Sequence, residues 1–232
     1  MSTPTDTSAP VAGARSGPMG VFGGTFDPIH YGHLRTAYEL LEILRLPEMR
    51  FMPAGSPPHR SGTFADNAQR LAMVRAAVAG QPGFTVDDRE IRKAGLSYTV
   101  ETLTDLRAEY SARPLCLIVG MDAFLGLPKW HRWRDLLTLA HLVVAHRPGW
   151  NAPTQGPLGE LLVDHGTGTV RDLHDHLAGR IYIHEVTQLE ISSTDVRALI
   201  SAGRDPRYLM PEGVRNIILE SGCYARKDVG RG

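Results

Sequence analysis

Leu115-Cys116-Leu117-Ile118-Val119, closed by Gly120, sets five apolar residues in a row. A strand with no polar face must be covered on both sides, as happens in parallel sheets with helices packed on each face. The rest of the chain supplies strands and helices in alternation. Met19-Gly20-Val21-Phe22 reads as a first strand that ends in a turn at Gly23-Gly24. Leu34, Ala37, Tyr38, Leu41 and Leu44 recur at helical spacing and predict a helix from Leu34 to Leu46, stopped by Pro47. Strands are expected at Arg50–Pro53, Phe84–Val86, His141–Ala145 and Arg180–Ile183. Helices are expected at Asn67–Val78, with Leu71, Val74 and Val78 on one face, and at Thr99–Tyr110, with Leu103 and Leu106 inward. Two more close the chain, Ser193–Ala202 and Glu212–Ser221. Stretches 54–67 and 148–160, rich in Pro and Gly, read as loops. The expected class is α/β, a doubly wound parallel sheet with helices on both faces, in a single domain. That domain covers 19–224, between a flexible tail at 1–18 and a short C-terminal tail at 225–232.

Charge narrows the partners. Twenty-five Lys and Arg balance 25 Asp and Glu, so the formal charge is zero. A protein built to coat nucleic acid or an anionic membrane needs a basic surplus, so neither partner is expected. The longest apolar stretch, near Leu136 to Ala145, contains His141 and is too short to span a bilayer. Residues 1–18 lack the apolar core of a signal peptide. Two distant cysteines exclude a disulfide framework and a cysteine-based zinc site, and they fit a reducing cytoplasm. Cys116, in its apolar run, reads as a core residue. His165, His174, His176 and His184 crowd the last third without zinc-type spacing and read as structural or surface groups.

In parallel sheets, ligands bind beyond the carboxyl ends of the strands. The first such end carries Gly23-Gly24-Thr25-Phe26-Asp27-Pro28-Ile29-His30-Tyr31-Gly32-His33. The two glycines let a ligand approach backbone closely. Pro28 is expected to fix the turn before a helix, with His30 and His33 on one face of that helix's first turn. Backbone N–H groups at such a start favour an anion, and Gly32 leaves the face between the histidines open. The run reads as a pocket for a polyphosphate.

This run resembles the signature of the nucleotidylyltransferase superfamily, whose Rossmann-like members transfer a nucleotidyl group from a triphosphate and release pyrophosphate. Pro57-Pro58-His59-Arg60, Ser97-Tyr98-Thr99, Gly120-Met121-Asp122 with Trp130, and Ile191-Ser192-Ser193-Thr194-Asp195-Val196-Arg197 follow in order. The set is similar to bacterial nicotinate-nucleotide adenylyltransferases over about residues 19–224. The resemblance implies ATP and nicotinate mononucleotide as substrates, Mg²⁺ arriving with ATP, no resident metal, and a cytoplasmic enzyme, with a homo-oligomer left open. It implies catalytic roles for His30, His33 and Arg197, and ATP contacts from Gly23, Gly24, Thr25, Phe26, Gly32, Gly120, Asp122, Ser193 and Thr194.

The remaining residues also have physical readings. Ser192 can cap a helix with Asp195 three residues on, and Arg197 lies four after Ser193. A capped helix start beside a guanidinium suits triphosphate oxygens. Asp122, after a strand and a glycine, can accept both ribose hydroxyls. Trp130 offers a flat face to a pyridine ring, with Trp133 ranked below it. Ser97, Tyr98 and Thr99 can present N–H groups to a nicotinate carboxylate. Arg60 and Arg147 can steer phosphates, and the family often has Lys where Arg60 stands. Rival readings are an amide-specific or a phosphopantetheine adenylyltransferase, a catalytically dead nucleotide sensor, and a tRNA-handling protein. The retained His30, His33 and Arg197 speak against the sensor, and zero net charge speaks against the last.

Overall fold

The computed structural model describes residues 17–55, 63–187 and 189–226. The expected tails, apart from their inner ends, fall outside the described residues, as does Arg60 with half of the 54–67 stretch. Among the described residues, seven strands form one sheet: β1 (Met19–Gly24), β2 (Glu48–Pro53), β3 (Phe84–Val86), β4 (Leu115–Gly120), β5 (His141–His146), β6 (Gly166–Thr167) and β7 (Ile181–Glu185). Their order is β3-β2-β1-β4-β5-β7-β6. Every pairing is parallel, with Val21 of β1 between Arg50 of β2 and Leu117 of β4. The chain runs outward from β1 to β3, then returns to start the other half at β4. The crevice of the doubly wound sheet therefore opens between the carboxyl ends of β1 and β4.

Among the described residues, ten α-helices connect and cover the strands: α1 (Tyr31–Ile43), α2 (Asn67–Val78), α3 (Arg89–Arg92), α4 (Thr99–Glu109), α5 (Met121–Leu125), α6 (Leu136–Leu139), α7 (Gly156–His165), α8 (Arg171–Asp175), α9 (Ser193–Ser201) and α10 (Glu212–Ser221). Side-chain alternation along the central strands divides the core in two. Cys116 and Ile118 of β4 and Val143 and Ala145 of β5 pack with α1, α2, α9 and α10. Leu115, Leu117 and Val119, with Leu142 and Val144, pack with Val100, Leu103 and Leu106 of α4 and with α6. Both faces are covered, as the apolar run requires. Cys116 is fully buried, and burial pushes its thiol up to about 12.

Three expectations need correction. The first helix starts at Tyr31, a turn earlier than expected, with Pro28 in the turn ahead of it as foreseen. The Tyr31 N–H is already held by the Leu209 carbonyl (2.9 Å), a distant contact that no local pattern reveals. The inner face of α2 is Arg70, Met73, Val74 and Val78, and Leu71 is only half-buried. Arg70 takes the inner position because its guanidinium finds oxygen partners there. The 148–160 stretch is not all loop, since α7 begins at Gly156.

Candidate active site

At the carboxyl end of β1 the chain turns through Thr25 and Phe26 into α1. His30 caps this helix with extended backbone (φ −148°), and its N–H donates to Nδ1 of His33 (3.3 Å). That bond makes His33 Nδ1 an acceptor and leaves the ring proton on Nε2. The two rings pack against each other at a 32° tilt, 3.8 Å between centroids. Phe26, buried and at φ 48°, sets its ring edge-on to His33 at 5.2 Å. Nδ1 of His30 is buried without a partner. A Cβ on Gly32 would stand 3.0 Å from that nitrogen, so glycine here keeps the ring where it is. Among the described residues the Gly32 N–H at this helix start has no partner.

Burial favours the neutral form of both imidazoles. Burial lowers His30 to about 4. Burial, and then the neighbouring His30, hold His33 well below its ordinary value. A neutral imidazole still donates one N–H, and an arriving polyphosphate supplies the charge that would restore the second proton. NMR titration of the His30 imidazole in the free protein is expected to give a midpoint near 4, and a midpoint near 6.5 would contradict this burial. The folded value lies below the unfolded one, so the unfolded chain takes the proton first as pH falls. Neutral His30 therefore contributes stability that is complete above 6.5 and is lost between 6.5 and 4.

The late helix α9 meets this turn from the other side. Ser192 caps it, accepting the Asp195 N–H at 3.1 Å and donating to the Asp195 carboxylate at 2.6 Å. Ser193 Oγ donates to the Pro28 carbonyl (3.0 Å). Arg197 donates to the Asp27 carbonyl (2.6 Å) and to Thr194 Oγ1 (3.2 Å), with its guanidinium 4.4 Å from the exposed Phe64 ring. Residues 193–197 and 30–33, far apart in sequence, thus form one group.

Behind this group lies a network that sequence reasoning missed. The buried Asp27 carboxylate accepts the N–H groups of Phe64 (2.8 Å) and Ala65 (3.1 Å) and the hydroxyl of Tyr224 (2.6 Å). Fully buried Arg70 donates to the carbonyls of Thr25 (2.7 Å), Ala54 (2.6 Å) and Gly55 (3.2 Å), and to Asn67 Oδ1 (2.5 Å). Together they fasten the turn after β1 to the ends of the segment after β2. An arginine at an inner helical position was the one available signal.

Beside the histidines, over the ends of β1, β2 and β4, is a cavity of about 350 Å³. It brings together Gly23, Gly24, Thr25, Ser97, Tyr98, Thr99, Gly120 and Trp130 from the expected set. Gly23 and Gly120 face open space, where a Cβ would meet nothing within 4 Å. Tyr98 stands at the N-cap of α4 without a side-chain hydrogen bond to the helix, and this helix start, Ser97 to Thr99, lines the cavity. The Tyr98 ring lies 4.5 Å from that of His131, a wall residue not foreseen. Trp133 is elsewhere, under the Arg134 guanidinium at 4.5 Å. Phe22 lines the cavity and also faces His33 (6.4 Å), joining the two groups.

Some expected residues stand apart. Asp122 is exposed on the first turn of α5, outside the cavity wall. Arg147, past β5, faces Glu190 at 3.8 Å and is half exposed. The side chain of Phe26 is in the core, so only its backbone can reach a ligand. Among the described residues no three His, Cys, Asp or Glu side chains converge as a metal site. His165 and His174 bond the carbonyls of Gly179 and Leu44 (2.9 Å each).

The Cytidylyltransferase-like family matches residues 21–199. A protein of Aeromonas hydrophila named "Probable nicotinate-nucleotide adenylyltransferase" is 49% identical over 207 residues, 89% of this chain and 97% of that one. A protein of the same name from Methylococcus capsulatus is 46% identical, over 90% of this chain and 100% of that one. Among solved structures, the nicotinic acid mononucleotide adenylyltransferase of Plasmodium falciparum complexed with NaAD superposes with a TM-score of 0.68 at 14% identity, covering 90% of this chain and 97% of that one. That likeness concerns the fold.

Proposed function

The chain belongs to the nicotinate-nucleotide adenylyltransferases of the Cytidylyltransferase-like family, and from that premise we propose how its site works. The enzyme transfers the adenylyl group of ATP to nicotinate mononucleotide in NAD biosynthesis, giving nicotinate adenine dinucleotide and pyrophosphate. The mononucleotide phosphate is already anionic at neutral pH, so no general base is needed. It attacks the α-phosphorus in line, the bond to the β-phosphate oxygen breaks, and pyrophosphate leaves with the electron pair.

In this reading His30 and His33 donate N–H groups to the α- and β-phosphate oxygens. Arg197, steadied by Asp27 and Phe64, holds the leaving pyrophosphate. The backbone of Gly23, Gly24, Thr25 and Phe26, with Gly32, Ser193 and Thr194, cradles the triphosphate. Gly120 and Asp122 receive the adenosine side. The pyridine ring stacks on Trp130, and its carboxylate takes the free N–H groups at the start of α4, with Ser97, Tyr98 and Thr99 around it. Arg147 and Arg60 steer phosphates. Magnesium prefers oxygen ligands, so an ion arriving with ATP would be held by substrate oxygens and water rather than by the imidazoles of this site. When bound it neutralises triphosphate charge. A cytoplasmic setting suits the two free thiols.

The observation that carries this reading is a single cavity holding an indole and an uncapped helix start beside the two packed histidines. Trp130→Ala is expected to raise KM for the mononucleotide about tenfold with a small change in kcat, because stacking acts before and during the reaction. Steady-state kinetics with the mononucleotide varied at saturating ATP test it. An unchanged KM removes Trp130 from the pocket.

A further inference from the structure

One carboxyl group in the cavity wall has no part in that mechanism. Glu90, on the short α3, faces the same space as Ser97, Tyr98, Thr99 and Trp130. It is held there. Gly55 packs against its carbonyl, where any side chain would collide. Thr102 Oγ1 donates to Glu90 Oε1 at 2.6 Å, and the Ser97 hydroxyl faces the same group.

The cations around it are engaged elsewhere. Arg89 pairs with Asp87 and Glu109 (2.8 Å each), Arg92 with Asp88 (2.8 Å) and Lys93 with Glu101 (2.5 Å). Among the described residues no ion pair reaches Glu90. The charged or titratable groups that face it are Asp87 and Lys93 beside α3, Tyr98 at the start of α4, and His131 across the cavity. Burial raises its carboxyl above the ordinary value. Two carboxylates that share a site do not ionise independently, and the proposed pocket brings a second one, that of the pyridine acid, to this spot.

We propose that Glu90 makes the pocket's choice between pyridine acid and pyridine amide depend on pH: the acid enters with the Glu90 carboxyl protonated, and the amide enters whatever its state. The inference rests on the ring pocket described above. Binding the acid then takes one proton from solvent onto Glu90, and the proton returns when the dinucleotide leaves. Binding the amide takes none. Glu90 is thereby a specificity-determining residue rather than a participant in phosphoryl transfer.

Calorimetric titration of the whole protein with nicotinate mononucleotide and with its amide, each in two buffers of different ionisation enthalpy, counts the protons. The phosphate is common to both ligands and cancels in the difference. Above the Glu90 value the acid is expected to take up close to one proton more than the amide. The ratio of the two KM values, acid over amide, is expected to climb by up to about tenfold per pH unit there. In Glu90→Gln both differences vanish. Equal proton uptake for the two ligands in the wild type overturns the proposal even if the variant fails to fold, and so does a difference that survives in Glu90→Gln. Acid preference at a constant ratio overturns the proposal and leaves the ring pocket standing. No preference at any pH, with affinities unmoved by Trp130→Ala, overturns both.

Discussion

Replacing His33 by alanine lowers kcat by about a hundredfold or more while the protein stays folded. A positioned donor to developing charge is worth about 3 kcal/mol in a site that excludes water. His33 is built for that role. Its Nδ1 is committed to the His30 N–H (3.3 Å), so its one ring proton sits on Nε2. Burial keeps the ring neutral until an anion arrives. Its plane is set by Phe26 on one side and His30 on the other. Alanine is the best helix former, so α1 tolerates the exchange. Pyrophosphate release in single turnovers reads the effect, and a thermal melt monitors the fold. Turnover within about threefold of wild type, in a folded variant, would show that His33 gives no charge stabilisation.

Arg70→Ala has the largest expected effect on stability, a loss of about 3–5 kcal/mol, as for other buried charges whose partners are left behind. The variant would orphan the carbonyls of Thr25, Ala54 and Gly55 in the interior. It would also remove a cation that acts on the buried Asp27 carboxylate. Arg70→Lys should recover only part of the loss, because one ammonium cannot fork between the strand ends as a guanidinium does. Denaturant unfolding midpoints decide it. A loss under about 1 kcal/mol would mean that water replaces the guanidinium without cost.

Arg70 also marks where hydrophobic patterning stops being informative. Apolar spacing assigned Leu71 to the inner face of α2, yet the charged neighbour is the buried one. The reason is a set of oxygen partners contributed largely by two other segments, which no periodicity within α2 encodes. The strands were more legible. Phe84–Val86 was read to the residue, and β1, β2, β4, β5 and β7 to within about two residues, because strands covered on both faces need continuous apolar runs. The two-residue β6 carries no such run and was not foreseen.

Within the site, the contiguous parts were readable. His30, Gly32 and His33 sit side by side in sequence and in space, and Gly32 does keep the His30 ring free of a Cβ. The Ser97-Tyr98-Thr99 start and Trp130 do share a cavity. The parts that depend on distant contacts were not readable. Asp27 meets Phe64, Arg197 and Tyr224 across 37, 170 and 197 residues. Glu90 sits among Arg89, Arg92 and Lys93, and no pattern in the sequence singles it out. Only the packing of Gly55 and Thr102 against it turns it toward the cavity.

The central claim is that this cavity accepts a pyridine acid beside a triphosphate turn and joins the two. Purified protein with Mg-ATP, offered nicotinate mononucleotide and its amide in parallel near neutral pH, tests it most directly, with pyrophosphate followed and the dinucleotide identified by mass. The account expects pyrophosphate and nicotinate adenine dinucleotide in equal amounts from the acid, at a rate well above that from the amide. Faster turnover of the amide, or no pyrophosphate from either in a folded sample that binds ATP, would contradict it.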